Sequence, residues 1–252
     1  MKPGGIRVAI AAGKMHKLIF AVLVIAVSFS FPPLTYSQSN DDSSARRTVT
    51  AVYTAVAPVI DGDLSDEVWY KASAQDDFRR RDDPDRGGPA RVKTLFRILY
   101  DEEYLYIGLE MHGDNPDLLL KSITKRDENL DKDDSVCLYI DAFHDLRSAY
   151  FLQVNSLGIQ RDLFSTGYGK QVDMGWDALW DAATGTLEDG WTVEFRIPFK
   201  IFRFNWSNKM TWGLEILRTS LQREEWSEWC YVEDTENNTL DPHDTGQKVA
   251  PS

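Results

Sequence analysis

The feature of this sequence that most constrains its fold is an alternation of apolar and polar side chains with a period of two residues. In KTLFRILYD (residues 93–101) every second side chain falls on the same face, and YLYIGLEMH (residues 104–112) alternates likewise after an acidic turn. A period of two is typical of a β-strand, whereas a helix repeats every 3.6 residues. These two stretches therefore predict an antiparallel hairpin.

Similar runs recur along the rest of the chain, and turn residues separate them. They are SVCLYIDAF (135–143), AYFLQVN (149–155), IQRDLF (159–164), WTVEFRI (191–197) and TWGLEILRTSLQR (211–223). Helical patterns are confined to a short stretch capped by Ser65 and to PDLLLKSI (116–123), which is equally compatible with a strand. The sequence therefore predicts an all-β fold, an antiparallel β-sandwich of the jelly-roll type with one or two short helices.

The N-terminal region has the pattern of an export signal. An apolar run, LIFAVLVIAVSFSF (residues 18–31), follows Lys14 and Lys17 and ends before Pro32. It is shorter than the roughly 20 residues that a membrane-spanning helix needs. Residues 1–37 are therefore predicted to be a secretory signal peptide, with an uncleaved membrane anchor as the alternative.

The prediction of a signal peptide sets the expected organisation and location of the protein. Met15 would begin a signal of ordinary length, so residues 1–14 are interpreted as an extension from a misplaced start codon. The protein is expected to be secreted, periplasmic or associated with a bacterial outer membrane. The predicted segments after the signal are a flexible leader (38–47), a single β-sandwich domain (48–246) and a polar tail (247–252).

The charge of the chain makes nucleic acid an unfavourable partner. The full sequence carries 28 basic and 40 acidic residues, and removing residues 1–37 removes four basic residues and no acidic one. The remaining 24 basic and 40 acidic residues give a net charge of -16. Such a surface repels phosphate backbones and suits neutral ligands or cations.

Motifs for catalysis are absent from the sequence. It contains no G-x-S-x-G, no H-E-x-x-H and no Walker loop, and its two cysteines, Cys137 and Cys230, are interpreted as small packing residues. A disulfide between them remains an alternative in an oxidising compartment. The chain is therefore predicted not to be an enzyme, although forty acidic residues leave a hydrolase with a carboxylate pair as a distant alternative.

Two acidic stretches carry the oxygen ligands that hard cations prefer. These are VIDGDLSDEVW (residues 59–69) and RDENLDKDD (residues 126–134). Neither has the spacing of an EF-hand loop, so a solvated acidic loop is the simpler interpretation. If an ion binds, a structural calcium held by Asp131, Asp133 and Asp134 is expected.

Tryptophans crowd the second half of the chain and suggest rings for stacking on sugars. Trp176, Trp180, Trp226 and Trp229 lie among glycines and acidic residues and are expected to be partly exposed. Packing in the core or at its rim is the alternative for each of them.

Six motifs in order resemble the family 9 carbohydrate-binding module. They are IDGDLSDEVW, YDEEYLYIGLEM, DDSVCLYID, FLQVNSLG, GWTVEFRIPF and TWGLEILR, and they extend from about Val59 to about Gly246. The greatest similarity is to the variant at the N-terminus of large exported bacterial proteins. The resemblance implies a β-sandwich that binds sugars without cleaving them, beside a glycoside hydrolase domain, with structural calcium in some members.

The resemblance also suggests ligand-binding residues and shows departures from the family pattern. Trp176, Trp180 and Trp229 are candidates for stacking on a sugar, and Gln153, Asn155 and Asn238 for binding its hydroxyls. The family's two clamping tryptophans have no counterpart in NLDKDD (129–134) or at Leu240, and Cys137 stands where the pattern has a glutamate.

The predicted function is that of a secreted, non-catalytic module that binds an oligo- or polysaccharide during polysaccharide breakdown. The alternatives are a structural or assembly domain of the cell envelope that has lost sugar binding, and an accessory part of an O-glycosyl hydrolase. A catalytic or barrel region in a longer gene product is a further expected partner.

Overall fold

The computed structural model describes residues 47–81, 88–204 and 210–229 in full, together with the backbone of residues 7–9. Strands dominate this part of the chain. Its helical segments are short 3₁₀ turns, at Glu67–Lys71, Pro116–Leu118, Phe199–Ile201 and Leu221–Arg223. The prediction of an all-β fold with only short helices is confirmed.

The described residues form fourteen strands, which pair mostly in antiparallel fashion. They are β1 (Arg7–Ala9), β2 (Thr48–Thr50), β3 (Val52–Tyr53), β4 (Arg79–Arg80), β5 (Thr94–Tyr100), β6 (Tyr104–His112), β7 (Ser135–Asp141), β8 (Ala149–Asn155), β9 (Gln160–Thr166), β10 (Gln171–Asp173), β11 (Asp181–Leu187), β12 (Gly190–Pro198), β13 (Thr211–Ser220) and β14 (Glu225–Glu228).

Two sheets make up the sandwich. The larger sheet has the order β10-β9-β8-β7-β13-β1-β2, with β14 also on β13 and β4 on β14. The smaller sheet has the order β11-β12-β6-β5-β3. The inner faces of both sheets contribute to one buried apolar cluster, which includes Ile98 and Ile107 from the smaller sheet and Leu138 and Leu152 from the larger.

The hairpin predicted from residues 93–112 is present with the expected register. Strand β5 pairs with β6 so that Thr94 lies opposite Met111 and Tyr100 opposite Leu105. Asp101 closes the turn, because its Oδ1 accepts the N–H groups of Glu103 at 2.8 Å and Tyr104 at 2.7 Å. An acidic residue thus serves here as a turn former.

A buried arginine links the two sheets. Arg218, on β13 of the larger sheet, donates from Nη1 to the Lys93 carbonyl at 2.9 Å and from Nη2 to the His112 carbonyl at 2.9 Å. Its Nη2 also lies 2.6 Å from Asp114 Oδ2, and both side chains are fully buried. Asp114 in turn accepts the Ser220 hydroxyl at 2.8 Å. Asp114 neutralises the buried charge, and the carbonyls accept hydrogen bonds from both Nη atoms of Arg218.

The acidic segment at residues 59–69 packs on the outer face of the smaller sheet. Trp69 is completely buried there, and its Nε1 donates to Glu194 Oε1 at 2.8 Å. The other carboxylate oxygen of Glu194 accepts the N–H groups of Asp61 at 2.9 Å and Gly62 at 2.8 Å. One buried carboxylate therefore fixes both the turn and the tryptophan.

The aspartates of this segment accept hydrogen bonds from nearby backbone N–H groups. Asp61 Oδ1 accepts the N–H of Asp63 at 2.9 Å, and Asp63 Oδ1 accepts the N–H of Ser65 at 3.0 Å. Asp66 Oδ2 accepts the N–H of Val59 at 2.8 Å. The expected helix cap at Ser65 is wrong, because the 3₁₀ turn begins after Asp66 and has no side-chain cap. Asx-type turns explain why so many acids stand here.

Two glycines make room for this packing. At Gly108 a Cβ would lie 2.2 Å from Leu64 and 3.2 Å from the Trp69 ring, so the absence of a side chain lets the segment approach the sheet. At Gly62, where φ is +90°, a Cβ would lie 2.4 Å from the backbone carbonyl carbon of Thr184. Gly62 is therefore required both by its conformation and by the neighbouring strand.

Strand β1 lies within the segment that the sequence predicts to be an export signal. Its removal in the cell stays a prediction, as do the leader (38–47) and the polar tail (247–252), of which only Arg47 lies among the described residues. Cys137 is a buried free thiol, and Cys230 lies outside the described residues. In the described part of the chain, no helix has the length and apolarity needed to cross a membrane.

Replacing Gly62 by alanine should destabilise the fold strongly. A positive φ and a backbone clash act together, and we expect a loss of about 2–4 kcal/mol in the free energy of unfolding. Gly167→Ala is the matched control, because φ there is +62° but no heavy atom lies within 4 Å of the added Cβ. It should cost about 1 kcal/mol, from conformation alone. Urea denaturation of both variants measures the difference, and equal losses would contradict the close approach at Gly62.

Candidate functional site

The side of the larger sheet that faces away from the smaller sheet carries an unusual set of side chains. We call this side the outer face. Antiparallel register aligns Glu228, Leu217, Cys137, Gln153 and Arg161 in one row across five strands. In a two-layer sandwich, the side chains on this side of a sheet normally face solvent and are polar. Here the row mixes an acid, an amide and a guanidinium with apolar groups.

Aromatic rings lie beside that row. Tyr139 and Phe151 are opposite each other on β7 and β8, with ring centroids 5.2 Å apart at an interplanar angle of 87°. The Arg161 guanidinium lies 5.6 Å from the Phe151 ring centroid. Trp226 is half-buried against the same apolar group, which consists of Cys137, Phe151, Leu163 and Leu217. Rings next to amides and charges are the chemistry that a sugar ligand requires, since its C–H faces are apolar and its hydroxyls polar.

Gln153 presents an unused acceptor on the outer face. Its Nε2 donates to the Ser135 hydroxyl at 3.1 Å. Its Oε1 is buried and has no hydrogen-bond partner among the residues that the structure describes, and the residue is only 6% exposed. An unpaired buried carbonyl costs about 1–3 kcal/mol. A ligand hydroxyl that donates to this oxygen would remove that cost.

Arg161 is held in place from one side. Its Nη1 donates to Asn129 Oδ1 at 3.1 Å and lies 3.8 Å from Asp131 Oδ1, while the residue is 3% exposed. Asp131, a predicted metal ligand, is therefore the partner of an arginine. A guanidinium at this position would repel a cation at the same carboxylate.

Glu215 is a second acid on the outer face, and it is half-buried. It lies opposite Tyr139 in the register of β13 and β7. Burial raises the pKa of the Glu215 carboxyl, while the charge of Arg81 and a hydrogen bond with Glu228 act in the opposite direction. Because burial outweighs these two influences, Glu215 holds a proton more readily than an isolated glutamate would.

Asp133 and Asp134 do not converge on a metal site. The oxygens of Asp133 accept the N–H groups of Ser122 at 2.7 Å and Ile123 at 2.9 Å, as well as Asn155 Nδ2 at 2.8 Å. Burial alone would raise the pKa of the Asp133 carboxyl, but these hydrogen bonds bring it below its ordinary value. Donors that aim hydrogen atoms at the oxygens occupy the positions a cation would need.

Asp134 has a comparable structural role. Its oxygens accept the N–H groups of Leu120 at 2.6 Å and Leu221 at 2.8 Å, and burial raises its pKa. Among the described residues, no group of three or more His, Cys, Asp or Glu side chains is placed to hold a metal ion. Asp131, Asp133 and Asp134 therefore do not form the predicted ligand set, and calcium binding itself stays a prediction.

Two of the predicted stacking rings lie in the core. Trp180 is 5% exposed, donates from Nε1 to Asp162 Oδ2 at 2.8 Å and stacks on Phe195 with centroids 5.8 Å apart. Trp229 is 3% exposed and meets the Phe96 ring edge-on at 5.0 Å. Their expected partial exposure is wrong, because both rings point between the sheets, where they bury more apolar area than at the rim.

The other candidate residues differ in their exposure and in whether their polar atoms are already paired. Trp176 is half-buried and packs on Tyr150 with centroids 5.1 Å apart, and Trp226 is also half-buried, as expected. Asn155 is completely buried, and its side chain is used in full by Ile123, Asp133, Leu157 and Ile159. Asn238 and Leu240 lie outside the described residues. Of the predicted ligand-binding residues that the structure describes, only Gln153 contributes an unpaired polar atom to the outer face.

Sequence reasoning missed Arg161, Tyr139, Phe151 and Glu215. The signal was available in part, since the turn at residues 156–158 fixes the pairing of β8 with β9 and so brings Arg161 opposite Gln153. Glu215 was not accessible in this way, because β13 meets β7 across about 70 residues of sequence and their register depends on the whole sheet.

Comparison with known proteins identifies the family. A family model described as carbohydrate family 9 binding domain-like matches residues 60–248. This chain belongs to that family. Family 9 carbohydrate-binding modules (CBM9) are non-catalytic, which agrees with the prediction that the chain is not an enzyme. A comparison with curated protein sequences finds no significant match.

One of the solved structures similar to this CBM9-like chain, with a TM-score above 0.5, shares its fold. A putative carbohydrate-binding protein from Bacteroides uniformis is 11% identical, with a TM-score of 0.57 over 71% of this chain and 87% of that one. A CBM9 from Caldicellulosiruptor kristjanssonii in complex with glucose is 19% identical, with a TM-score of 0.47 over 68% of this chain and 78% of that one. The CBM9 from the same organism in complex with cellotriose is 19% identical, with a TM-score of 0.47 over 71% of this chain and 82% of that one.

Asp133→Asn should destabilise the fold whether or not calcium is present. The amide places an NH₂ group against N–H donors, so we expect a loss of about 1–3 kcal/mol in unfolding free energy. Asp131→Asn is the control and should cost less, because the Asp131 side chain is 20% exposed whereas Asp133 is completely buried. Melting curves in calcium and in chelator measure both variants. A loss confined to the calcium samples would restore Asp133 as a metal ligand.

Glu215→Gln should flatten the pH dependence of stability. The folded-state pKa of Glu215 is raised above its unfolded value, so its protonated form stabilises the fold at acid pH. That contribution disappears as the pH rises from about 4 through the folded-state pKa. We expect wild type to lose more stability than Glu215→Gln between pH 4.5 and pH 8, an interval set by the glutamate reference value of about 4.3. Parallel urea-denaturation midpoints in the two proteins would contradict this.

Proposed function

We propose that this chain binds an oligo- or polysaccharide on the outer face without cleaving it. The observation that carries the proposal is the unpaired Oε1 of Gln153 beside Tyr139, Phe151 and Arg161. A sugar hydroxyl would donate to this oxygen while a C–H face contacts the rings. Membership of the CBM9-like family supports a saccharide as the ligand.

The cellular role that fits such a module is a supporting one in polysaccharide breakdown outside the cytoplasm. The export signal predicted in residues 1–37 supports this location, and the net negative charge of the chain suits a neutral saccharide. The CBM9 from Caldicellulosiruptor kristjanssonii is known in complex with glucose and with cellotriose, so these two saccharides are the first compounds to test.

A structural domain that no longer binds sugar is the second candidate. Cys137, Phe151, Leu163 and Leu217 form a buried apolar cluster on the outer face, and each is at most 9% exposed. A surface that receives a sugar should leave its rings accessible. These side chains are buried within the chain itself, so their burial favours a structural role for this face.

Calorimetry with Gln153→Ala separates the two candidates. Loss of a buried hydrogen bond to the ligand should weaken saccharide binding by about 1–3 kcal/mol, or roughly 5- to 150-fold in Kd. Gln171→Ala is the matched control, since Gln171 is exposed on the edge strand β10 and should leave the affinity unchanged. Both variants and wild type are titrated with glucose, cellotriose and a panel of other oligosaccharides.

Two results would count against the proposal. An absence of heat with every saccharide in wild type would favour the structural candidate. Equal affinities in wild type and Gln153→Ala would keep saccharide binding but move the ligand away from the outer face. Circular dichroism of each variant shows whether the sandwich remains folded.

A further inference from the structure

One edge of β13 is divided between two partners. Strand β7 pairs along the opposite edge, from Gly213 to Thr219. On the divided edge, β14 pairs with residues 217–220, and β1 pairs in parallel with Thr211 and Trp212. In the described part of the chain, residues 213–215 have no strand partner on this edge.

Strand β2 depends on the same short neighbour. Its three residues pair in antiparallel register with β1, with Val8 opposite Val49. Among the described residues, β2 has no other strand partner. Strand β1 therefore fills a gap one strand wide, parallel to β13 on one side and antiparallel to β2 on the other.

The walls of this gap are anchored in the core. Val49 of β2 is 6% exposed and Trp212 of β13 is 2% exposed, and both belong to the main apolar cluster. The Trp212 ring also meets Phe199 at 5.8 Å and Phe202 at 5.1 Å. Packing of this kind holds the two backbone edges in place, so the gap persists when its occupant leaves.

The occupant belongs to the segment that the sequence predicts to be removed. Residues 7–9 lie within the predicted signal peptide of residues 1–37, and export would take them away. Two facing edges would then present unpaired N–H and C=O groups, which is a template for an added strand. Among the described residues, the divided edge of β13 has no strand partner at residues 213–215, beyond the two residues that β1 contacts, and this leaves space for a strand of about five residues.

We propose that the gap between β2 and β13 accepts a β-strand from another polypeptide, which adds parallel to β13 and antiparallel to β2. Backbone hydrogen bonds give the affinity, and alternate side chains of the added strand face the core cluster around Val49 and Trp212. The partner is thus an extended segment with apolar residues at every second position. Saccharide binding is not required for this interaction.

Hydrogen exchange on the full-length chain tests the proposal. Val8→Pro removes a backbone N–H and should release β1 without changing the rest of the chain. We expect the amides of residues 48–50 and 211–212 to exchange at least about tenfold faster in this variant. Gln38→Pro is the matched control, because it introduces proline outside β1, and its exchange should equal that of wild type.

The second arm of the experiment supplies the strand in trans. A peptide with the sequence GIRVAIAA, which corresponds to residues 5–12, is added to the Val8→Pro chain. We expect saturable binding and recovery of protection at residues 48–50 and 211–212, whereas the same peptide with proline in place of the valine at its fourth position should have no effect. Thermal melting before addition confirms that the variant is folded.

Three results would overturn the proposal. Unchanged exchange in Val8→Pro would mean that the gap is closed by the chain itself. Failure of the peptide to restore protection would mean that the gap does not accept a strand in trans. A doubled mass of the Val8→Pro chain in solution, with full protection before the peptide is added, would assign the gap to a second copy of this chain.

Discussion

The sandwich depends on one buried charge that joins its two sheets. The guanidinium of Arg218 reaches from β13 to the carbonyls of Lys93 and His112 on the smaller sheet, and Asp114 neutralises it. Removing either partner would leave an uncompensated buried charge, which costs about 3–5 kcal/mol. Because the same strand supplies Glu215 and Leu217 to the outer face, the position of the candidate site follows from this contact between the sheets.

Acidic residues in this chain have three different roles, although their sequence patterns look alike. Asp61, Asp63 and Asp101 close turns by accepting local N–H groups. Glu194 and Asp133 are buried anchors, each satisfied by three or more donors from distant or neighbouring segments. Glu215 lies on the outer face beside a second carboxyl group. A count of acids near one another therefore overstates the case for a cation site.

The aromatic residues show the same dependence on context. The sequence context of Trp180 and Trp229, among acids and glycines, indicated exposure, but both rings complete the core between the sheets. The rings beside Gln153 are instead Tyr139 and Phe151, which lie in predicted strands and were not among the candidate residues. Burial gains about 25 cal/mol per Å² of apolar surface, so large rings near a core enter it whenever the backbone permits.

The sequence by itself determined the fold class, the hairpins and the family, because these depend on local alternation, turn residues and the order of short motifs. It also indicated Gln153 as a ligand-binding residue. Only the tertiary structure decided that Arg161, Glu215 and Tyr139 share a face with Gln153, and that the polar groups of Asp133, Asn155 and Trp180 form internal hydrogen bonds. The physical reason is that a side chain's face in a strand is local, whereas its neighbours across the sheet are set by register between segments far apart in sequence.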